Sequence, residues 1–165
     1  MKAVNQMRSI LKKTRFVLGA GALVLVSSLP SFAQNASQYF PIAPCRLYDS
    51  RFDGPQTPLV GQDTPGRQLS IKGTCGIPND ASALSYNVTI VRPTGNGFLT
   101  MYPSNAALPE VSSINFKAND VRGNGGVVPL APGAPDLNVY LATNPAAGSG
   151  HVILDATGYF KEVPE

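Results

Sequence analysis

Residues 82–91 read Ser-Ala-Leu-Ser-Tyr-Asn-Val-Thr-Ile-Val, and this alternation constrains the fold more than any other stretch of the chain. In an extended backbone Leu84, Tyr86, Val88 and Ile90 share one face, and Ser85, Asn87 and Thr89 share the other. A helix would scatter the four apolar residues around its axis, so the segment reads as a strand with one face buried. Such a strand needs neighbours, and the rest of the chain supplies shorter versions of the same pattern. Leu69 and Ile71 share a face in 67–72, and 97–102 carries Phe98, Leu99 and Met101. Ile114 pairs with Phe116 in 112–117, and Leu137, Val139 and Leu141 stand together in 137–141. The apolar run 126–130 includes Pro129, which marks an edge or a strand end. With 45–51 and 151–160 this makes eight candidate strands. No helical period occurs after residue 33.

The breaks between these runs hold turn residues. Pro93-Thr94-Gly95-Asn96-Gly97 predicts a hairpin joining 82–92 to 97–102. Asn119-Asp120 and Gly123-Asn124-Gly125-Gly126 predict further turns. Segment 52–66 holds three Pro and three Gly with no strand pattern, so it reads as a long loop and the best candidate for a variable recognition loop. About eight short strands with turns between them argue for an all-β fold: a single antiparallel β-sandwich of jelly-roll or Greek-key type.

The first 33 residues do not belong to that domain. Lys2, Arg8, Lys12, Lys13 and Arg15 form a basic start, 16–26 is an apolar run, and Ser31-Phe32-Ala33 places small residues before a cleavage point at Gln34. This is the pattern of a secretory signal peptide, and the apolar run falls short of the roughly 20 residues that a membrane span needs. The domain organisation is then a signal peptide at 1–33, a short polar lead at 34–38, a β-sandwich at 39–161 and a tail at 162–165. Five of the 13 Lys and Arg residues lie in the leader and none of the 10 acidic ones does. The mature part therefore carries a net charge of −2 where the whole chain carries +3. A basic balance confined to the precursor gives no reason to expect nucleic acid as a partner. No second apolar stretch approaches spanning length, so no membrane span is expected after cleavage.

Cys45 and Cys75 are the only cysteines. In an exported chain two thiols most simply form one disulfide. A metal site, with only His151 to add, or links between molecules are the alternatives.

The order of several motifs resembles a recurrent module of exported bacterial proteins. Phe40-Pro41-Ile42-Ala43-Pro44-Cys45-Arg46-Leu47-Tyr48-Asp49-Ser50-Arg51 is similar to its opening. Gly97-Phe98-Leu99-Thr100 with Tyr102-Pro103, then Ser113-Ile114-Asn115-Phe116, resemble its middle, and the run from His151 to Gly158-Tyr159-Phe160 resembles its end. The resemblance spans about 40 to 160. It implies export, the domain boundaries above, and a module with no assigned catalytic activity.

Chemistry-bearing residues cluster at the ends of the domain. Strand alternation puts Cys45, Leu47, Asp49 and Arg51 on one side of 45–51, with Arg46, Tyr48 and Ser50 on the other. Asp155 sits inside the apolar run Val152-Ile153-Leu154-Asp155-Ala156, where an unpaired carboxylate is costly. Arg46 or Arg51 can hold it with two parallel bonds, joining the first strand to the last. The network of Arg46, Asp49, Arg51 and Asp155 thus reads as a structural tie, ahead of a ligand site or a metal site built from Asp49 and Asp155. His151 is the one histidine, and Gly148-Ser149-Gly150 beside it lacks the G-x-S-x-G pattern of a nucleophile elbow. No P-loop, dinucleotide fingerprint, CxxC or HExxH occurs, and no cofactor is expected. Tyr48, Tyr102 and Tyr140 are candidates for stacking on a ligand such as a sugar.

These readings together predict a non-catalytic secreted, periplasmic or cell-surface module. Its expected partner is a protein, or a second copy of itself, met through exposed sheet edges. A carbohydrate-binding module is the alternative, and a polysaccharide-acting hydrolase on the same scaffold is a weaker one.

Overall fold

A computed structural model describes residues 36–53 and 57–163. The expected signal peptide at 1–33 lies outside the described residues. Among the described residues nine strands form: β1 (Ser37–Asp49), β2 (Leu59–Val60), β3 (Arg67–Leu69), β4 (Ala83–Val91), β5 (Asn96–Pro103), β6 (Ile114–Phe116), β7 (Val121–Pro129), β8 (Leu137–Asn144) and β9 (Ser149–Glu162). One sheet has the order β1-β9-β4-β7, with β2 pairing the start of β9; the other has the order β3-β8-β5-β6. Every pairing is antiparallel. Leaving out the two-residue β2, the partners are nested: β1 with β9, β3 with β8, β4 with β7, β5 with β6. The chain is thus one long hairpin wound over itself, which is the jelly-roll form of the expected β-sandwich.

The alternation in 82–91 does what its period requires. Along β4 every second side chain is buried, and Leu84, Val88 and Ile90 are fully enclosed. Val152 and Leu154 of β9 lie beside them in the same sheet, and Leu99, Leu137, Val139 and Leu141 come from the facing one. Each such side chain contributes roughly 1.5–3 kcal/mol by leaving water. β8 is buried on both faces over Leu137–Thr143: its own Tyr140 and Ala142 cluster on the outer side with Tyr102 of β5, and Leu108 packs against them.

Four expectations change. The hairpin joining 82–92 to 97–102 does not form, since β4 and β5 lie in different sheets. Both edges of β4 are taken, by β7 and β9, so the Pro93–Gly97 turn residues carry the chain across the sandwich instead. Arg92 makes the change of direction at a φ of 48°, its N–H bonded to the Asp120 carbonyl at 2.7 Å.

Gly123-Asn124-Gly125-Gly126 is not a turn either; it is the middle of β7, opposite Thr89, Val88, Asn87 and Tyr86. A Cβ on Gly126 would lie 2.7 Å from the Tyr86 hydroxyl, so glycine there makes room for that side chain.

The loop 52–66 is tied down in its second half. Leu59 of β2 is buried, the Gly61 N–H bonds the Gly148 carbonyl, and the Gln62 N–H bonds the Leu141 carbonyl at 2.8 Å. The segment therefore spans from one sheet to the other.

Finally, the domain is longer than 39–161. Ser37 and Gln38 of the supposed lead pair with Glu162 and Lys161, so Glu162 closes β9 and does not begin a tail.

Candidate functional site

β1 runs along β9 with two register shifts, between Pro41 and Cys45 and between Arg46 and Tyr48. The second shift resets the alternation. Simple alternation puts Arg46 on the side opposite Asp49; in the structure the two side chains meet. Arg46 lies opposite Asp155 in the ladder and holds it with Nε to Oδ1 at 2.5 Å and Nη2 to Oδ2 at 3.4 Å. Its Nη1 donates to Asp49 Oδ2 at 3.0 Å. Arg51 grips the same carboxylate from the other side, Nε to Oδ1 at 2.8 Å and Nη2 to Oδ2 at 2.7 Å, and its backbone N–H adds a bond at 3.1 Å. Arg46 therefore takes Asp155 and shares Asp49 with Arg51.

The Asp49 side chain is only 4% exposed, yet it is charged. The Arg51 hydrogen bonds outweigh the cost of burial and hold its carboxyl down at about 2, with the Arg46 charge assisting. The same bonds raise both guanidinium groups above their ordinary value, Arg46 chiefly through Asp155 and Arg51 through Asp49. Asp53 caps the turn by accepting the Asp49 N–H at 2.5 Å. Among the described residues no group of three or more His, Cys, Asp or Glu is placed to hold a metal ion. The arrangement clamps the end of β1 onto β9.

Cys45 and Cys75 form a disulfide with Cα atoms 5.9 Å apart. It straps the segment around Ile71 and Ile77, both buried, onto β1.

The three tyrosines offer no free ring. Tyr48 (7% exposed) turns into the core, its hydroxyl accepting a bond from Arg67 Nη1 and its ring 5.7 Å from the Arg67 guanidinium carbon. Burial pushes its pKa up. Tyr102 (3%) donates its hydroxyl to the Pro65 carbonyl at 2.8 Å. Tyr140 (8%) does lie on the outer face of β8, as alternation demands, but Leu108 packs over it. The exposed aromatic ring beside it is Phe98, 37% exposed, with its centroid 6.5 Å from that of Tyr140. The two rings, with Leu108, Val111, Glu110 and Asn115, line a groove of about 570 Å³. Sequence reading assigned Phe98 to an apolar run; its even number in β5, out of step with the buried Leu99 and Met101, is the signal that places it outside.

His151 meets Ser50 and not Ser149: its Nδ1 is 3.0 Å from Ser50 Oγ. Ser50 is fully buried, and its Oγ also accepts the Val152 N–H at 2.9 Å. Ser149 opens β9, its N–H bonded to Thr94 Oγ1 at 2.8 Å.

No family model, no curated protein and no solved structure matches the chain.

Proposed function

We propose that this domain is an exported, non-catalytic structural or adhesive module that acts at the cell surface or in extracellular matrix through protein–protein contact. One observation carries the reading. β7 is a nine-residue strand at the edge of its sheet, exposed over Val121–Gly125 and again at Val127, with Val121 67% and Val127 56% exposed. A long edge with unpaired backbone groups and apolar side chains is a template for another chain. The charges that could do chemistry at the other edge are engaged with one another. The leader-like first 33 residues and the resemblance to exported modules support the compartment. To test the reading, labelled protein is added to intact producing cells. Retention that disappears after protease treatment of the cells, and survives removal of surface polysaccharide, is the expected result. Retention lost with the polysaccharide would overturn it.

The Phe98 groove favours a second reading, carbohydrate binding, because an exposed ring there shares the groove lining with Glu110 and Asn115. Retention on insoluble polysaccharide that Phe98→Ala abolishes would support it; failure to bind any cell-wall or plant polymer would remove it.

A further inference from the structure

The backbone of β7 faces two ways, and the structure fixes which residues face out. At one end the Arg92 N–H bonds the Asp120 carbonyl at 2.7 Å; at the other the Leu130 N–H bonds the Ser82 carbonyl at 2.9 Å. The register between these ends is unbroken, Val91 opposite Val121 through Ala83 opposite Pro129. Hydrogen-bonded pairs in an antiparallel ladder recur every second residue. The even-numbered residues of β7 therefore bond β4. Val121, Gly123, Gly125 and Val127 turn their N–H and C=O groups away from the sheet, and Pro129 turns only a carbonyl. Gly123 and Gly125 are themselves exposed, and what a glycine exposes is backbone.

This outward row reads Val, Gly, Gly, Val, the same from either end, with Asn124 at its centre. The odd-numbered side chains share the face opposite the core, since the even-numbered Val128 is the buried one. We propose that β7 pairs antiparallel with β7 of a second copy of this chain, centred on Asn124. In that register Val121 lies opposite the second copy's Val127, and Gly123 opposite its Gly125. All four outward residues then exchange backbone hydrogen bonds, and the two most exposed valines of the strand cover each other twice. No like charges meet: Arg122 lies opposite Gly126 of the second copy, and its own Asp120 is 3.7 Å away. A contact in which the same patch serves both partners closes as a two-fold dimer and does not run on as a fibre. The glycines let the second backbone approach without side chains in the seam. This inference rests on the protein-contact reading above and names its partner.

Sedimentation velocity on the purified, oxidised protein from about 1 μM to about 1 mM tests it, a span that brackets weak edge pairing. A reversible monomer–dimer equilibrium is expected. V121K sets a charge against a valine at two symmetric points and is expected to raise the dissociation constant roughly tenfold. V127E alone weakens it similarly. V121K/V127E places opposite charges across the seam and is expected to recover most of the loss, a rescue that only this register provides. G125P removes an outward N–H, leaves the β4 ladder bonds in place, and is expected to abolish the dimer. The lysine and glutamate changes are at exposed sites, so they remain informative should G125P not fold. A protein that stays monomeric at about 1 mM overturns the inference, as does a dimer indifferent to V121K or a double variant no tighter than the singles. Monomeric protein that still binds cells through protein leaves the functional reading standing and removes only the self-pairing.

Discussion

β1 and β7 border the same sheet, but they are built differently. β1 carries Pro41 and Pro44, shifts register twice, is strapped by the Cys45–Cys75 disulfide and ends under the Arg46–Asp49–Arg51 clamp. β7 keeps one register over nine residues, has its only proline at the last, and has glycines where β1 has bulges. Prolines, bulges and covering segments are the usual means of preventing an edge from recruiting another strand. One edge therefore has its unpaired groups blocked and tied down, and the other leaves them regular and open. The other sheet has only three-residue strands, β3 and β6, at its borders, which are too short to template much. The contrast within one sheet indicates that blocking an edge and holding it in place are done here by the same residues.

The largest expected effect comes from cutting the strap. Replacing Cys45 and Cys75 together by serine should lower stability by roughly 3–4 kcal/mol, since the bridge closes about 30 residues. Urea unfolding measures it, with a steeper slope than the bridged protein because the unbridged unfolded chain exposes more surface. Dimerisation through β7 should persist in whatever fraction stays folded, which separates the two edges.

A smaller effect is expected at the clamp. Asp49 has a folded value of about 2 against an ordinary 3.8, so its contribution is complete above about pH 4 and is lost as pH falls through about 2. Because the Arg46 and Arg51 side chains are 49% and 36% exposed, solvent reduces the contribution to about 1–2 kcal/mol. Asp49→Asn should remove it, flattening the acid limb of a stability–pH profile between about pH 4 and pH 2. An unchanged acid limb would show that the clamp contributes nothing.

The smallest effect on stability is expected at the open edge. Gly123→Lys adds to β7 the kind of guard residue that edges commonly carry. It should change monomer stability by no more than about 0.5 kcal/mol in thermal unfolding. Self-association should weaken clearly, so the two readouts diverge. A large loss of stability instead would mean that β7 is structurally closed.

The strands were legible because each one states its period locally. Leu84, Tyr86, Val88 and Ile90 need no knowledge of the rest of the chain to declare a face. Pairing was not legible, because turn residues report a bend and not which neighbouring edge is free. Pro93–Gly97 bends the chain as its composition says, but β4 has no edge left for β5. Gly123–Gly126 shows the converse: glycines that look like a turn are selected by the bulk of Tyr86 across the strand. Asp155 announced its need for an arginine through its apolar neighbours, whereas the choice of Arg46 depended on a register shift that no local pattern records. Tyr102 and Tyr140 sit on the outer face of their sheet, as alternation allows; the loop residue Leu108 that covers Tyr140 comes from outside either strand.

The central place of β9 also sets the order of events as the chain folds. Arg46 and Asp155 are 109 residues apart in sequence, and β4 has β9 as one of its two neighbours. A ribosome that has released everything up to β8 has produced two strands whose shared partner does not yet exist. Contacts of such long range close slowly. The sheet built around β9 therefore cannot close until the last strand is available, whereas β3, β8, β5 and β6 can already pair without it.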